Sequence, residues 1–327
     1  MPRPRWHAVA VAFVALAALA YAGIATMLPP APAPVDAAPE RFSAGRAFEQ
    51  VEQLGERVHP VGSKALASVR ADIERYLRWL GLSVQVQEAV GATEAFGRGA
   101  AMARVHNVIA TMPGTDPTGR VVLVAHYDSA EVSHGANDDG AGVATLLETA
   151  RAMMFGVRPR NDVVFLFTDA EEACLCGAEA FVSQHPYGAD GGVALNIEAR
   201  GSVGPVIMFE TTKGNAGVVG AYARAAEHPV ATSFAVEVYR ILPNDTDFTP
   251  LRLSGRFTGL NAAYIDGSAV YHSPDDVPAT VDRGALQQHG DNALAVTRAL
   301  AAADLAGLAV PSDGVLTYFP VVGSLAR

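Results

Sequence analysis

Lysine is almost missing from this chain: Lys64 and Lys213 are the only two, against 24 lysines and arginines together. Acidic residues outnumber basic ones for a net charge of −10, and the two signs are interspersed. No basic stripe is present, which argues against a nucleic-acid surface. The shortage of lysine beside abundant arginine, alanine and glycine points to a GC-rich, bacterial source. Cysteine is equally scarce. The pair Cys174 and Cys176 is separated by one residue, a spacing poorly suited to an ordinary disulfide. Both are expected to pack as small apolar groups, placed near enough to Glu172 to be exposed to oxidation. They leave the redox compartment open. No internal repeat can be found.

What is present begins at the N-terminus. Arg3 and Arg5 precede an uncharged stretch from His7 to Leu28, long enough at about 1.5 Å per residue to cross a hydrocarbon core of about 30 Å. It reads as one transmembrane helix. The alternative is a cleaved signal peptide, for which Ala18-Leu19-Ala20 offers a small-x-small site. Positive charge ahead of the helix predicts a cytoplasmic N-terminus with the rest outside, and cleavage would export the same domain. Pro29 to Pro39 is rich in proline and alanine and is expected to be an extended stalk. The expected organisation is therefore an anchor at 1–28, a linker at 29–40, the main folded domain at 41–308 and an apolar tail at 309–327. That tail, with Leu316, Tyr318, Phe319, Pro320, Val321 and Val322, is too apolar to hang free and too short to span a membrane. It reads as a terminal strand or hook.

Half of the residues are hydrophobic, enough for one large core, and the main domain would use about 260 residues. Ala47–Val58 and Leu66–Leu80 have helical spacing, and Gly81 stops the second. Ser83–Val90 and Val105–Met112 read as paired strands, the second ended by Pro113-Gly114. Strands and helices then alternate: a strand to His126, a helix over Asp139–Phe155, a strand at Asp162–Thr168, a helix at Ala178–Gln184 and a strand at Val193–Ile197. A helix at Asn215–Glu227, a strand near Asn261–Ile265 and a helix at Arg283–Ala306 follow. Such alternation implies an α/β fold of parallel strands with helices on both faces.

Chemistry-bearing residues fall at the ends of these strands. His126-Tyr127-Asp128 follows the run Val121–Ala125, Glu171-Glu172 follows Val163–Phe167, and Glu198 follows Val193–Ile197; Asn137-Asp138-Asp139 and Tyr271-His272-Ser273 lie between elements. Taken singly, each has an ordinary explanation. Glu-Glu suits a helix N-terminus, and Asn-Asp-Asp-Gly suits a turn and helix cap. Their common placement at the carboxyl ends of strands, where open α/β sheets bind ligands, favours one site. A catalytic zinc keeps about three protein ligands and an open position, and two metals about 3.5–4 Å apart can share a bridging carboxylate. His126, Asp138 and Glu198 can hold one metal, with Asp138, Glu172 and His272 holding the other. Glu171 is then free to act as general base. Asp128 can accept the second ring N–H of His126. His134 reads as a solvated loop residue and His59-Pro60-Val61-Gly62-Ser63 as a helix-initiating turn near the cleft.

The order His126-x-Asp128, Gly135-Ala136-Asn137-Asp138-Asp139-Gly140-Ala141-Gly142, Glu171-Glu172, Asn196-x-Glu198 and His272-Ser273-x-x-Asp276 resembles the di-zinc aminopeptidases of metallopeptidase family twenty-eight. The likeness runs from about Phe48 to Leu308. Gln184-His185-Pro186, Asn244-Asp245-Thr246-Asp247-Phe248 and Tyr271-His272-Ser273 bring it nearer to the endoplasmic reticulum metallopeptidase, or Fxna-related, branch. The resemblance implies a three-layer α/β/α zinc-peptidase fold with a mixed, mostly parallel central sheet. It also implies the same five metal ligands, with Glu171 as base. It places Asp276 behind the last histidine and makes Asp245 and Asp247 candidates to bind a peptide's ammonium group. Glu198 departs from the aspartate of the soluble aminopeptidases and matches the endoplasmic reticulum branch. Larger members of that branch continue from a similar Tyr-Phe segment into further membrane helices, so a further membrane subunit or domain is an expected partner.

The sequence therefore reads as a membrane-anchored exopeptidase with two Zn2+ per chain, removing N-terminal residues from peptide substrates. Mn2+ or Co2+ suits the same ligand types. Carboxypeptidase or glutaminyl cyclase chemistry on this scaffold, and a non-catalytic extracytoplasmic binding domain, are the alternatives.

Overall fold

The computed structural model describes residues 6–94, 99–308, 314–321 and 324–326. Alternation along the buried strands decides the layers. In β3 (Arg120–His126), Val121, Leu123 and Ala125 face one core while Val122 and Val124 face another, as a two-residue period requires. β4 (Asp162–Thr168) and β5 (Gly192–Ala199) divide their side chains in the same way. On the first face pack α2 (Ala44–Leu54), α3 (Lys64–Trp79), α4 (Gly140–Met153), α8 (Ala216–Ala225) and α11 (Arg283–Ala302); on the second, α6 (Cys176–Gln184) and α10 (Phe248–Leu253). The result is a three-layer α/β/α sandwich.

The sheet has seven strands. With β1 (Ser83–Thr93), β2 (Ala101–Met112), β6 (Val203–Thr211) and β7 (Phe257–Asp266), its order is β1-β2-β4-β3-β5-β7-β6. The four central strands run parallel, and β2 and β6 join them antiparallel. From β3 the chain crosses to β4 on one side and then to β5 on the other. The strand order therefore reverses between β3 and β5, which opens a crevice at their carboxyl ends. His126 ends β3 and Glu198 is the penultimate residue of β5.

α4 begins at an anchor that also shapes this crevice. Asp139 caps the helix by accepting from the Gly142 backbone N–H at 3.1 Å, and its second oxygen accepts from the His126 backbone N–H at 3.2 Å. A cap of this kind contributes about 1 kcal/mol. A Cβ on Gly142 would lie 2.3 Å from the Asp139 carboxylate, so any larger residue there would displace the cap.

Three expectations change. Residues 29–40 do not stand off as a stalk: the Ala33 N–H reaches Gln287 Oε1 of α11, and Val35 and Ala37 carbonyls accept from Arg46 of α2. Polar partners on both helices hold this proline-rich segment against the domain. Cys174 and Cys176 form a disulfide. Leu175 between them is left-handed, with φ 53° and ψ 24°, and folds the chain back until the Cα atoms are 5.0 Å apart, inside the range a disulfide spans. Among elements present without having been expected are the helices α9 (Ser233–Ile241) and α10 and the edge strand β6. Gly204-Pro205 at the start of β6 masks its strand pattern, and proline is tolerated there because the strand is at an edge.

At the N-terminus α1 (Trp6–Ala25) is a single apolar helix with no part of its length buried. In the tail, Tyr318 is buried and exchanges hydrogen bonds with Ser233 at the start of α9, and β8 (Phe319–Val321) pairs with β9 (Ser324–Ala326). This segment hooks onto the domain; residues 309–313, 322, 323 and 327 of the expected tail lie outside the described residues.

Candidate active site

Asp138 sits at the centre. Its Oδ1 lies 3.2 Å from His126 Nε2, and its Oδ2 lies 3.2 Å from His272 Nε2. Glu198 Oε2 approaches the same His126 nitrogen at 3.9 Å, and Glu172 Oε2 meets the His272 nitrogen at 2.8 Å. Two donor sets result, His126/Asp138/Glu198 and Asp138/Glu172/His272, each with its ligand atoms within 4.8 Å of one another. All five side chains expected as metal ligands are thus brought together.

The donors fit a divalent metal pair. Glu172 Oε1 is buried without a hydrogen-bond partner, a costly arrangement unless a cation takes its lone pairs. Burial and the charge of Asp138 push the Glu172 carboxyl up to about 7, with His272 opposing. Burial likewise lifts Glu198 to about 8 against the pull of His126. At Asp138 burial acts upward too, but hydrogen bonds with His126 and His272 outweigh it and hold the carboxyl down at about 2. Burial lowers His272, and its contacts with Asp138 and Glu172 overcome this to raise it to about 9. Three carboxylates crowd two imidazoles here, and bound cations would reverse this local electrostatics.

Glu171 is buried beside these sets and pushed well above the carboxylate range, first by burial and then by the charges of Glu198, Asp247 and Glu172, with His126 opposing. It opens the one-turn helix α5 (Glu171–Cys174), after Ala170 turns the chain with a left-handed φ of 61°. The Asp128 carboxylate accepts the backbone N–H of Glu171 at 3.0 Å and of Glu172 at 3.3 Å. This differs from the expected role. The His126 Nδ1 partner is the Asp128 backbone carbonyl at 2.9 Å, and the carboxylate is farther away at 3.6 Å, because it is already engaged with the turn that carries the two glutamates.

Asp276 is buried and accepts from the Asn137 backbone N–H and side-chain amide, both at 2.8 Å, and from the Asp138 N–H at 3.2 Å. Asp245 and Asp247 part company. Asp245 lines the cleft, with Thr249 Oγ1 donating to it, whereas Asp247 is fully buried and accepts from the Thr168 hydroxyl. The turn into α10 points the second aspartate inward, so Asp247 is no cleft wall. His134 is half-buried, its Nδ1 2.8 Å from the Gly55 carbonyl. Ser63 caps α3, and Pro60 and Val61 ahead of it line the cleft.

The cleft over these groups has a volume of about 610 Å3, within the range of small-ligand sites. One of its residues, Arg200, two positions after Glu198, escaped the sequence reading. Asn196 of the Asn-x-Glu motif is buried, and its Nδ2 donates to Glu198 Oε1 at 3.2 Å.

Comparison with known proteins gives the same direction. Residues 107–297 match peptidase family M28. Mouse endoplasmic reticulum metallopeptidase 1 is 36% identical over 226 residues, covering 68% of this chain and 25% of the relative. The chain thus spans about a quarter of the length of that relative. Among solved structures, Porphyromonas gingivalis glutaminyl cyclase superposes with a TM-score of 0.62 at 20% identity, over 78% of this chain and 98% of its own. An aminopeptidase from Aneurinibacillus sp. strain AM-1 gives 0.62 at 15% identity, over 86% and 97%. Both establish the fold.

Proposed function

The chain belongs to peptidase family M28, and from that premise we propose that it is a membrane-anchored di-zinc exopeptidase that removes N-terminal residues from peptides. Membership makes it a zinc metallopeptidase; the proposal adds the metal count, the amino-end specificity and the anchoring. The observation that carries it is the placement of the Asp138 oxygens, each 3.2 Å from the ring nitrogen of a different histidine. A carboxylate so placed suits a bridge between two metals. His126, Asp138 and Glu198 would hold one, and Asp138, Glu172 and His272 the other.

Zinc in these sets would polarise the scissile carbonyl and lower the pKa of a water. Glu171 takes the proton of the attacking water and returns it to the departing amine. Asp128 holds the Glu171 and Glu172 backbone in place, Asp276 positions Asp138 through its backbone N–H, and Asp245 on the cleft wall supplies a carboxylate for the peptide's ammonium group.

The apolar helix α1, preceded by Arg3 and Arg5, supports anchoring with the catalytic domain outside the cytoplasm. The Cys174–Cys176 disulfide suits an oxidising compartment. The proposed organisation is an anchor at 1–28, a segment at 29–40 lying on the domain, a catalytic domain at 41–308 and a tail at 309–327.

The test is a panel of zinc-loaded assays on full-length protein with Leu-Leu, N-acetyl-Leu-Leu, Leu-Leu-amide and Gln-Leu. Cleavage of the free-amine peptides and not of the acetylated one is the expected result. Cleavage of the acetylated peptide would indicate a carboxypeptidase, and ring closure of Gln-Leu without hydrolysis a glutaminyl cyclase.

A further inference from the structure

The cleft is strongly acidic: Asp128, Glu131, Glu171, Glu172 and Asp245 all line it. Arg200 is the one permanent cation among its described lining residues. It is half-buried, and among the described residues no carboxylate lies within 4.0 Å of its guanidinium. An arginine surrounded by acids and paired with none is held away from them by something else.

The restraint is a stack. The Arg200 guanidinium carbon lies 4.7 Å from the centre of the Tyr271 ring, and Tyr271 stacks on His272 with centroids 3.8 Å apart. The Arg200 backbone N–H is fixed to the Tyr264 carbonyl at 3.1 Å. A cation over an aromatic face is attracted to it and keeps its in-plane N–H donors free at the edge. Because the stack ends on His272, it fixes those donors at a set distance from the group that would hold the second metal. Behind Arg200 lies an apolar groove of about 490 Å3, which Arg200 and Tyr271 share with the cleft and which Phe209, Phe234 and Leu242 help to line. An anion meeting the guanidinium at this boundary is less screened than in open water.

We propose that Arg200 is a specificity-determining residue that binds a carboxylate of the peptide substrate next to the scissile bond. The planar fork of guanidinium donors matches a carboxylate bidentately. The carboxylate is either the C-terminal α-carboxylate of a short peptide or an acidic side chain. The inference rests on the peptidase reading for the identity of the ligand, and on Arg200 alone for its charge.

Binding to full-length, zinc-loaded Glu171→Gln protein, measured by calorimetry, tests it without turnover. Leu-Leu is compared with Leu-Leu-amide, and Leu-Glu-amide with Leu-Gln-amide. In at least one pair the carboxylate peptide is expected to bind about tenfold or more tightly than its neutral counterpart. That ratio falls to near one in Glu171→Gln/Arg200→Met and to an intermediate value in Glu171→Gln/Arg200→Lys, which keeps the charge and loses the fork. Preference in the first pair identifies the α-carboxylate, and in the second the acidic side chain. Equal binding within both pairs, or a preference that survives Arg200→Met, overturns the proposal. Wild-type protein that cleaves none of the peptides, while Glu171→Gln shows the Arg200-dependent ratio, defeats the peptidase reading and leaves the carboxylate site standing.

Discussion

The Asp276 carboxylate accepts two hydrogen bonds of 2.8 Å from Asn137, one from its backbone N–H and one from its side-chain amide. A third, at 3.2 Å, comes from the Asp138 N–H, and Ser133 Oγ donates at the same distance. One buried side chain beyond the final histidine thereby sets the loop that presents Asp138 to both donor sets. Replacing Asp276 by Ala leaves these donors without an acceptor and frees Asp138 to move. Zinc affinity, measured by competition with a chromophoric chelator, is expected to fall about 10- to 100-fold, with Asp276→Asn losing less. Unchanged affinity in Asp276→Ala would show that Asp138 is held by other means.

Metal removal should destabilise the protein more as pH rises. Burial holds Glu172 and Glu198 protonated up to about 7 and about 8 in the metal-free fold, His272 and His126 opposing only in part. In the unfolded chain such carboxyls ionise near about 4.3. Between those limits the native state binds more protons, so metal-free stability declines as pH increases. His272 acts in the same direction above its ordinary value, since its contacts with Asp138 and Glu172 overcome burial and raise it to about 9. Zinc takes the deprotonated forms and relieves this. The difference in Tm between zinc-loaded and chelated protein is expected to widen from about pH 5 to about pH 8. A gap that narrows over that range contradicts the assignment of these groups.

The disulfide beside the two glutamates closes a very short loop. In the chain-entropy account it contributes about 1–2 kcal/mol, so the Cys174→Ala/Cys176→Ala double variant should melt a few degrees lower. Thiol titration of the denatured protein without reductant should find no free cysteine. Two titratable thiols in freshly purified protein would exclude the bridge.

How much of this was legible depended on what the neighbouring chain had to do. His126, Glu171, Glu172 and Glu198 could be read because each follows an apolar run that can only be a buried strand, and strand ends converge. Asp138 stood out as a ligand candidate in the Asn-Asp-Asp-Gly turn, while the role of Asp139 as the helix cap is visible only in the structure. Position along the chain could not distinguish Asp245 from Asp247, because the turn into α10 decides which one is buried. Nor could it reveal the Cys174–Cys176 bridge, which depends on a left-handed leucine, a conformation disfavoured for that residue type. Arg200 gave no local signal, since its position depends on a ring supplied by Tyr271 seventy-one places later.

The central claim is that two metals share Asp138 and that Glu171 moves the proton. Zinc content by plasma emission, with hydrolysis of aminoacyl-coumarins, on full-length wild type and Glu171→Gln tests both parts at once. About two zincs per chain in each protein, with turnover only in the wild type, is the predicted result. One zinc or none in the wild type, or undiminished turnover in Glu171→Gln, would contradict it.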